Sequence, residues 1–490
     1  MQAAVEEIVM TRVRCFVALT ALATSACSSS IAIPNQPPVT RPSTTPAPPQ
    51  SKIQHVVILF QENRSFNNLF MSFPGADTST TGRCKPSVSS GSEPICTSKD
   101  PRKRIVTLSQ IELQGRNRLG GTDIEHSHAT YLAEYDGGKM DGFDTISYGT
   151  QGSDGPAGFY PYAFVDRSQV KPYWDMAARY TLADHMFSTA TTDSFVAHQE
   201  IVAGTARLNA RESLVDTPSQ LPWGCDSFPG TKTSVIFSNG HVVMNGGPFP
   251  CLTQYKTMAD VLDGAGVSWR YYVQSYDSSS PYYDISGEAW NGFDPIKAVR
   301  YGHDWKNIIT PNTVVFKDIK NGTLPEVSWV IPDLRDSDHP ASGHHDGPSW
   351  VTSIVNAIGE SKYWQSTAII VMWDDWGGFY DNVPPPQLDY TSLGMRVPMI
   401  VVSPYAKQHY VSKTQYEFGS VLKFVEQNFG TASLGSTDTR ANSIGDIFDF
   451  GQTPGKFQPF TAPLGETYFL RNTAPLPARE VIRRDGGVPD

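Results

Sequence analysis

The chain has 490 residues, of which 39% are hydrophobic and 18% charged, and its net charge is −10. This describes a globular protein with a large core and excludes a fibrous, disordered or coiled-coil chain. The acidic balance also excludes the basic face that nucleic-acid binding needs, so no nucleic-acid partner is expected, although a bound metal would let such a chain act on phosphates.

In chain order, Arg12 and Arg14 precede a short apolar run from Cys15 to Ala23, which ends at Ser25-Ala26-Cys27. A basic start, a short apolar stretch and small residues before a cut describe a signal peptide over residues 1–27. The run is too short for a membrane span, which needs about 20 residues. Glu6 and Glu7 are foreign to such a leader, so Met10 is the better start. Cys27 follows two small residues, as an acylated lipoprotein cysteine does, and would tether the protein to a membrane. Residues 28–51 are rich in proline and poor in large apolar side chains, the composition of an extended tether. Residues 52–490 are expected to form one exported domain. An exported chain permits disulfides, and pairing sequence neighbours gives Cys84–Cys96 and Cys225–Cys251.

The domain alternates short β-branched runs with helical patterns. Ile53–Phe60, Val327–Ile331, Ala368–Trp373 and Val397–Val402 read as strands buried on both faces. Ser349–Ile358 and Ser420–Asn428 read as helices between them. The expected fold is α/β, a doubly wound and mostly parallel sheet with helices on both faces. Residues 78–118 and 209–251 are polar and irregular, and are expected as long inserted loops.

Ligands of open α/β sheets gather at the C-terminal strand ends. There the first strand runs into Gln61-Glu62-Asn63-Arg64 and the third into Asp374-Asp375-Trp376-Gly377-Gly378. The second leads to Asp338-His339 and onward to His344 and His345. Neighbouring carboxylates at buried strand ends need a cation, so Glu62, Asn63, Asp374 and Asp375 are candidate ligands for Mg, Ca or Mn, with Zn or Fe admitted by an added histidine. The alternative is that they cap helices and turns. Ser194 opens a predicted helix, where backbone N–H groups hold anions, and His198 lies one turn along on the same face. A plain N-cap beside a buried histidine is the simpler reading of that spacing. The hydrolase elbow GxSxG is absent. His126 and His128 precede the stretch Gly138-Lys139-Met140-Asp141-Gly142.

Five segments occur in a familiar order: Gln61–Phe66, Gly138–Gly142, Ser194–Gln199, Asp374–Asp381 and Arg396–Tyr405. Together they resemble the bacterial phosphoesterase family that includes phospholipases C and a secreted acid phosphatase, from about residue 53 to residue 430. The resemblance implies an alkaline-phosphatase-like core and a divalent metal held by Glu62, Asn63, Asp374, Asp375 and Ser194. It implies Ser194 as nucleophile, with His126, His198 and His339 serving the phosphate or the leaving group. Ser194-Phe195 is similar to the acid-phosphatase branch, since phospholipases C carry Thr in a proline-rich segment there. Two positions depart from the family: Trp376 and Asn382 stand where imidazoles are usual. The expected function is phosphate-ester hydrolysis of the acid-phosphatase type. The alternatives are a phospholipase C and, from another class, a non-catalytic exported carbohydrate- or surface-binding protein.

Overall fold

The computed structural model describes residues 51–86, 94–114, 123–149, 155–276, 286–340, 342–391 and 393–474. The leader over 1–27 and the tether over 28–51 lie outside these residues except for Ser51. Among the described residues no helix is long and apolar enough to cross a membrane.

Eight strands build the central sheet: β1 (His55–Gln61), β2 (Thr181–Met186), β3 (Trp269–Tyr272), β4 (Ile308–Ile309), β5 (Val327–Val330), β6 (Thr367–Trp373), β7 (Met399–Val402) and β8 (Tyr410–Tyr416). Their order is β4-β3-β5-β1-β6-β7-β2-β8. Only β7 runs antiparallel to its neighbours; the remaining pairs are parallel. The four anticipated runs became β1, β5, β6 and β7. Strands β2, β3 and β8 escaped notice because they carry polar or aromatic residues, such as the His185 of β2 and the Lys413 of β8, and β4 because its Ile308-Ile309 pair is too short to read as a run.

Side chains of β1 and β6 alternate between two helical layers. Phe60 packs against Phe418 at the start of one helix, while Trp373 meets Tyr173 edge-on from another. The first layer holds the helix Ser194–Ala203 (α2) and the helix Phe418–Phe429 (α5), which pack together. The second holds Lys171–Arg179 (α1), Val314–Asn321 (α3) and Gly347–Gly359 (α4). Strand β6 is buried along its whole length, and each fully buried large apolar side chain contributes roughly 1.5–3 kcal/mol. Both anticipated helices form, each one to two residues longer at either end.

The segment expected as an irregular loop over 209–251 instead carries most of a four-stranded antiparallel sheet, Arg207–Asn209, Glu212–Val215, Ser234–Phe237 and Val242–Val243. Strands this short leave no apolar run for a sequence reading to find. The described part of 78–118 holds three-residue strands and two short 3-10 turns, Pro94–Thr97 and Pro101–Lys103. Both disulfides join sequence neighbours, Cys84 to Cys96 and Cys225 to Cys251.

Candidate active site

The C-terminal ends of β1 and β6, adjacent and parallel, place Glu62-Asn63 beside Asp374-Asp375. The ladder continues past the strands, with the amide of Asp374 donating to Gln61 O (3.1 Å) and that of Arg64 to Asp375 O (3.1 Å). Asn63 adopts a left-handed φ of 58°, which asparagine tolerates, and its amide donates to Asp374 Oδ1 (3.0 Å). Gly377 makes this turn fit: its φ is +58° and a Cβ there would lie 2.3 Å from Asn63 O.

Ser194 is the first residue of α2, after Asp193 at the N-cap. Its Oγ lies 2.7 Å from Asp374 Oδ2, 3.3 Å from Asp375 Oδ2 and 3.5 Å from Glu62 Oε2. His198, one turn on, brings Nε2 to 3.0 Å from Glu62 Oε1 and 3.9 Å from Asp374 Oδ2. The spacing of four read from the sequence thus places both side chains on one carboxylate cluster. The segment before Ser194 is pinned by His128, whose Nδ1 lies 2.8 Å from Thr191 Oγ1.

His126 enters from the other side. Its Nδ1 donates to Ile124 O (2.6 Å), which leaves Nε2 to accept from Asn63 Nδ2 (2.9 Å). That Nε2 stands 3.7 Å from Asp375 Oδ2. His339 is fully buried; its Nδ1 donates to Pro340 O (2.5 Å), and its Nε2 has no hydrogen-bond partner. His344 is half-buried and His345 exposed.

Trp290 was not anticipated. Its ring is stacked at 10° on His198, with centroids 6.4 Å apart, and tilted at 31° to His339, at 5.9 Å. A lone tryptophan in a loop carries no signal of such a position. The two departures from the familiar pattern separate. Trp376 lies edge-on to His126 (6.0 Å) and donates from Nε1 to Glu134 Oε2 (2.6 Å), so an indole packs behind the site. Asn382 lies instead against Asp77 and Arg396.

Glu62, Asp374 and Asp375 are fully buried. Among the described residues, the only basic groups within 4.0 Å of them are His126 and His198. Burial, reinforced by Asp374, holds the carboxyls of Glu62 and Asp375 well above the usual carboxylate range. Burial pushes His198 down to about 4 and His339 down to about 3, so both imidazoles are neutral near pH 7. Ligand atoms of Glu62, His198 and Asp374 lie within 4.8 Å of one another. Asn63 Oδ1, a buried acceptor in the same cluster, has no hydrogen-bond partner. Crowded acidic oxygens, an idle amide oxygen and one imidazole fit a hard divalent cation. A second grouping, Cys84, Cys96 and Asp144, does not, because its sulfurs are joined in a disulfide.

Comparison with known proteins gives four findings. A model of the Phosphoesterase family matches residues 53–432. Phospholipase C A of Mycobacterium tuberculosis is 25% identical over 449 residues, covering 83% of this chain and 79% of its own. Hemolytic phospholipase C of Pseudomonas aeruginosa is 24% identical, covering 81% of this chain and 56% of its own. Among solved structures, a Vibrio parahaemolyticus protein of the alkaline phosphatase superfamily aligns over 89% of this chain and 87% of its own at 10% identity, with a TM-score of 0.35 too low to carry an argument.

Proposed function

The chain belongs to the Phosphoesterase family and is a hydrolase of phosphoric ester bonds; from that premise we propose that it cleaves phosphate monoesters, as an acid phosphatase does, with Ser194 as nucleophile. The observation that carries this reading is the Ser194 hydroxyl, 2.7 Å from Asp374 Oδ2 at the first residue of a buried helix. Glu62, Asn63, Asp374, Asp375 and Ser194 are the proposed holders of a divalent ion, with His198 within reach. That ion would neutralise the carboxylates and polarise the phosphoryl oxygens.

The chain's own residues divide the remaining work. Backbone N–H groups at the start of α2 hold phosphoryl oxygens. Ser194 Oγ passes its proton to Asp374 Oδ2 and forms a bond to phosphorus as the ester P–O bond breaks. His339 is the proposed acid for the departing alcohol: its free Nε2 takes up a proton when a phosphate dianion beside it raises the imidazole's pKa. Water then attacks the phosphoserine and gives a proton to His339 Nε2, the Oγ–P bond breaks, and Asp374 Oδ2 returns the serine's proton to Oγ. His126, held by Asn63 and Ile124, orients the amide that faces the carboxylates.

A phospholipase C is the second reading, favoured by the names of the relatives at 24–25% identity. Family membership sets aside the non-catalytic surface-binding alternative. We further propose export behind the 1–27 leader, with residues 52–490 as one catalytic domain. Hydrolysis of para-nitrophenyl phosphate against para-nitrophenylphosphorylcholine, across pH and with chelator, tests the choice. Faster monoester release, lost on chelation and restored by metal, is expected. Preference for the choline diester would establish the phospholipase instead.

A further inference from the structure

Trp290 faces the catalytic histidines, but the side chains on either side of it do not. Glu288, Asn291 and Asp294 line a half-enclosed cavity of about 240 Å³, together with Asp226, Gln274 and Arg300. None of the carboxylates around Ser194 lines it. Glu288 is 4% exposed and Asp294 3%, yet both oxygens of Glu288 and Oδ2 of Asp294 lack any hydrogen-bond partner. A buried carboxylate with two idle oxygens is costly unless a ligand meets it.

The surroundings hold these acids in place without satisfying them. Arg300 is shared between two of the acids: Nη2 reaches both oxygens of Asp226 (2.9 Å each), Nε reaches Asp294 Oδ1 (3.0 Å), and the guanidinium lies over the Trp305 ring at 4.4 Å. Gly224 clears the space for Asp294; its φ is +76°, and a Cβ there would stand 1.9 Å from Asp294 Oδ2. The amide of Cys225, one half of a disulfide, donates to Asp294 O (3.3 Å). Three acidic side chains share one guanidinium, so the cavity is negative only where they ionise, and a cation is needed to offset that charge.

We propose that this cavity binds the primary ammonium group of a small amine, through Glu288 and Asp294. Such a group carries three N–H donors, no acceptor and one positive charge, matching three idle acceptor oxygens. A quaternary ammonium has no N–H to offer them. A divalent metal fits less well, because among the described residues no three side chains here each bring a ligand atom within 4.8 Å of the others, and the guanidinium of Arg300 adjoins. Burial raises Asp294 to about 7 and holds Glu288 well above the usual carboxylate range, so these acids keep protons that a bound ammonium group would displace.

Calorimetric titration of the full chain tests the site with two probes, ethanolamine as a free amine and vesicles of phosphatidylethanolamine in phosphatidylcholine as a lipid headgroup. The expected result is binding in at least one arm that weakens about tenfold or more in Glu288→Gln, and the responding arm identifies the source. Choline, or vesicles of phosphatidylcholine alone, should bind at least about tenfold more weakly than the amine. Thermal unfolding checks that the variant folds; if it does not, Asp294→Asn supplies the same ratio. Equal affinity in the folded variant, equal affinity for the choline probe, Glu288-dependent binding of calcium ion alone, or no binding in either arm would overturn the site.

Discussion

Two groups of fully buried carboxylates lie on the central sheet, and they are built in opposite ways. In one, Asp184 and Asp381 surround Arg396, itself fully buried. The guanidinium donates to Asp381 Oδ1 (3.0 Å), to Asp184 Oδ1 (3.2 Å) and to Asp77 O (2.8 Å). Backbone amides of Asn67 and Val383 complete Asp381 (2.9 Å each). In the other, Glu62, Asp374 and Asp375 meet no Lys or Arg among the described residues, and the imidazoles of His126 and His198 are the basic groups that stand near. The first group closes on itself and fastens the chain after Asn63 to the segment after β6. The second is left open, and a buried site that is not neutralised from within is one that awaits a ligand. The difference separates a structural cluster from a functional one where burial alone does not.

That contrast can be broken from either side. The largest effect is expected for Ser194→Ala, which should lower kcat by about 10⁴-fold or more even when the folded variant is saturated with metal, Ser194 being also one of the proposed holders of the ion; wild-type turnover of the metal-loaded variant would end the nucleophile assignment. Arg396→Met should do the reverse. It strands two buried acids, and loss of one partner from such a pair costs about 3–5 kcal/mol, read as a large fall in melting temperature, while the Ser194 chemistry of the folded fraction persists. His339→Asn should lower kcat about 10²-fold for substrates with poor leaving groups and much less for para-nitrophenol esters, the signature of a lost proton donor.

The pH dependence of stability sharpens the comparison further. Glu62 and Asp375 hold protons in the fold that the unfolded chain releases, so metal-free stability falls as pH rises above the ordinary carboxylate range. His198 and His339, down at about 4 and about 3, act oppositely: their contribution is present above the ordinary histidine value and is lost as pH falls toward those values. Added metal should therefore raise the melting temperature more at about pH 8 than at about pH 5, measured by calorimetry with and without chelator. An equal shift at both would show that the ion does not replace those protons. The smallest effect belongs to Lys413→Ala. Its ammonium, about half exposed, pairs with Asp184 from the edge of the closed cluster, and its loss should cost less than about 1 kcal/mol.

Much of the site was legible because it is local. Asp374-Asp375 and Glu62-Asn63 each follow an apolar run, and a run of that kind ending in acids marks a strand end facing a ligand. Ser194 and His198 share a helical face by spacing alone. The strands β2, β3 and β8 were not legible, because their polar and aromatic residues break the aliphatic pattern, and β4 was not because it is only two residues long. The small sheet within 207–243 was hidden for a related reason: its strands are two to four residues long, and their pairing supplies the order that their sequence lacks.

The sequence by itself determined which residues could carry the chemistry, since carboxylate, hydroxyl and imidazole are fixed by residue type and short spacing. Only the tertiary structure decided which acids remain open. Glu62 and Asp381 both follow strands and both are buried, but Arg396 reaches one and not the other. Trp290 stands beside His198 and His339 for the same reason, brought there across some ninety residues of chain from one and fifty from the other. Neutralisation is a matter of which side chains meet in space, and no local spacing encodes it.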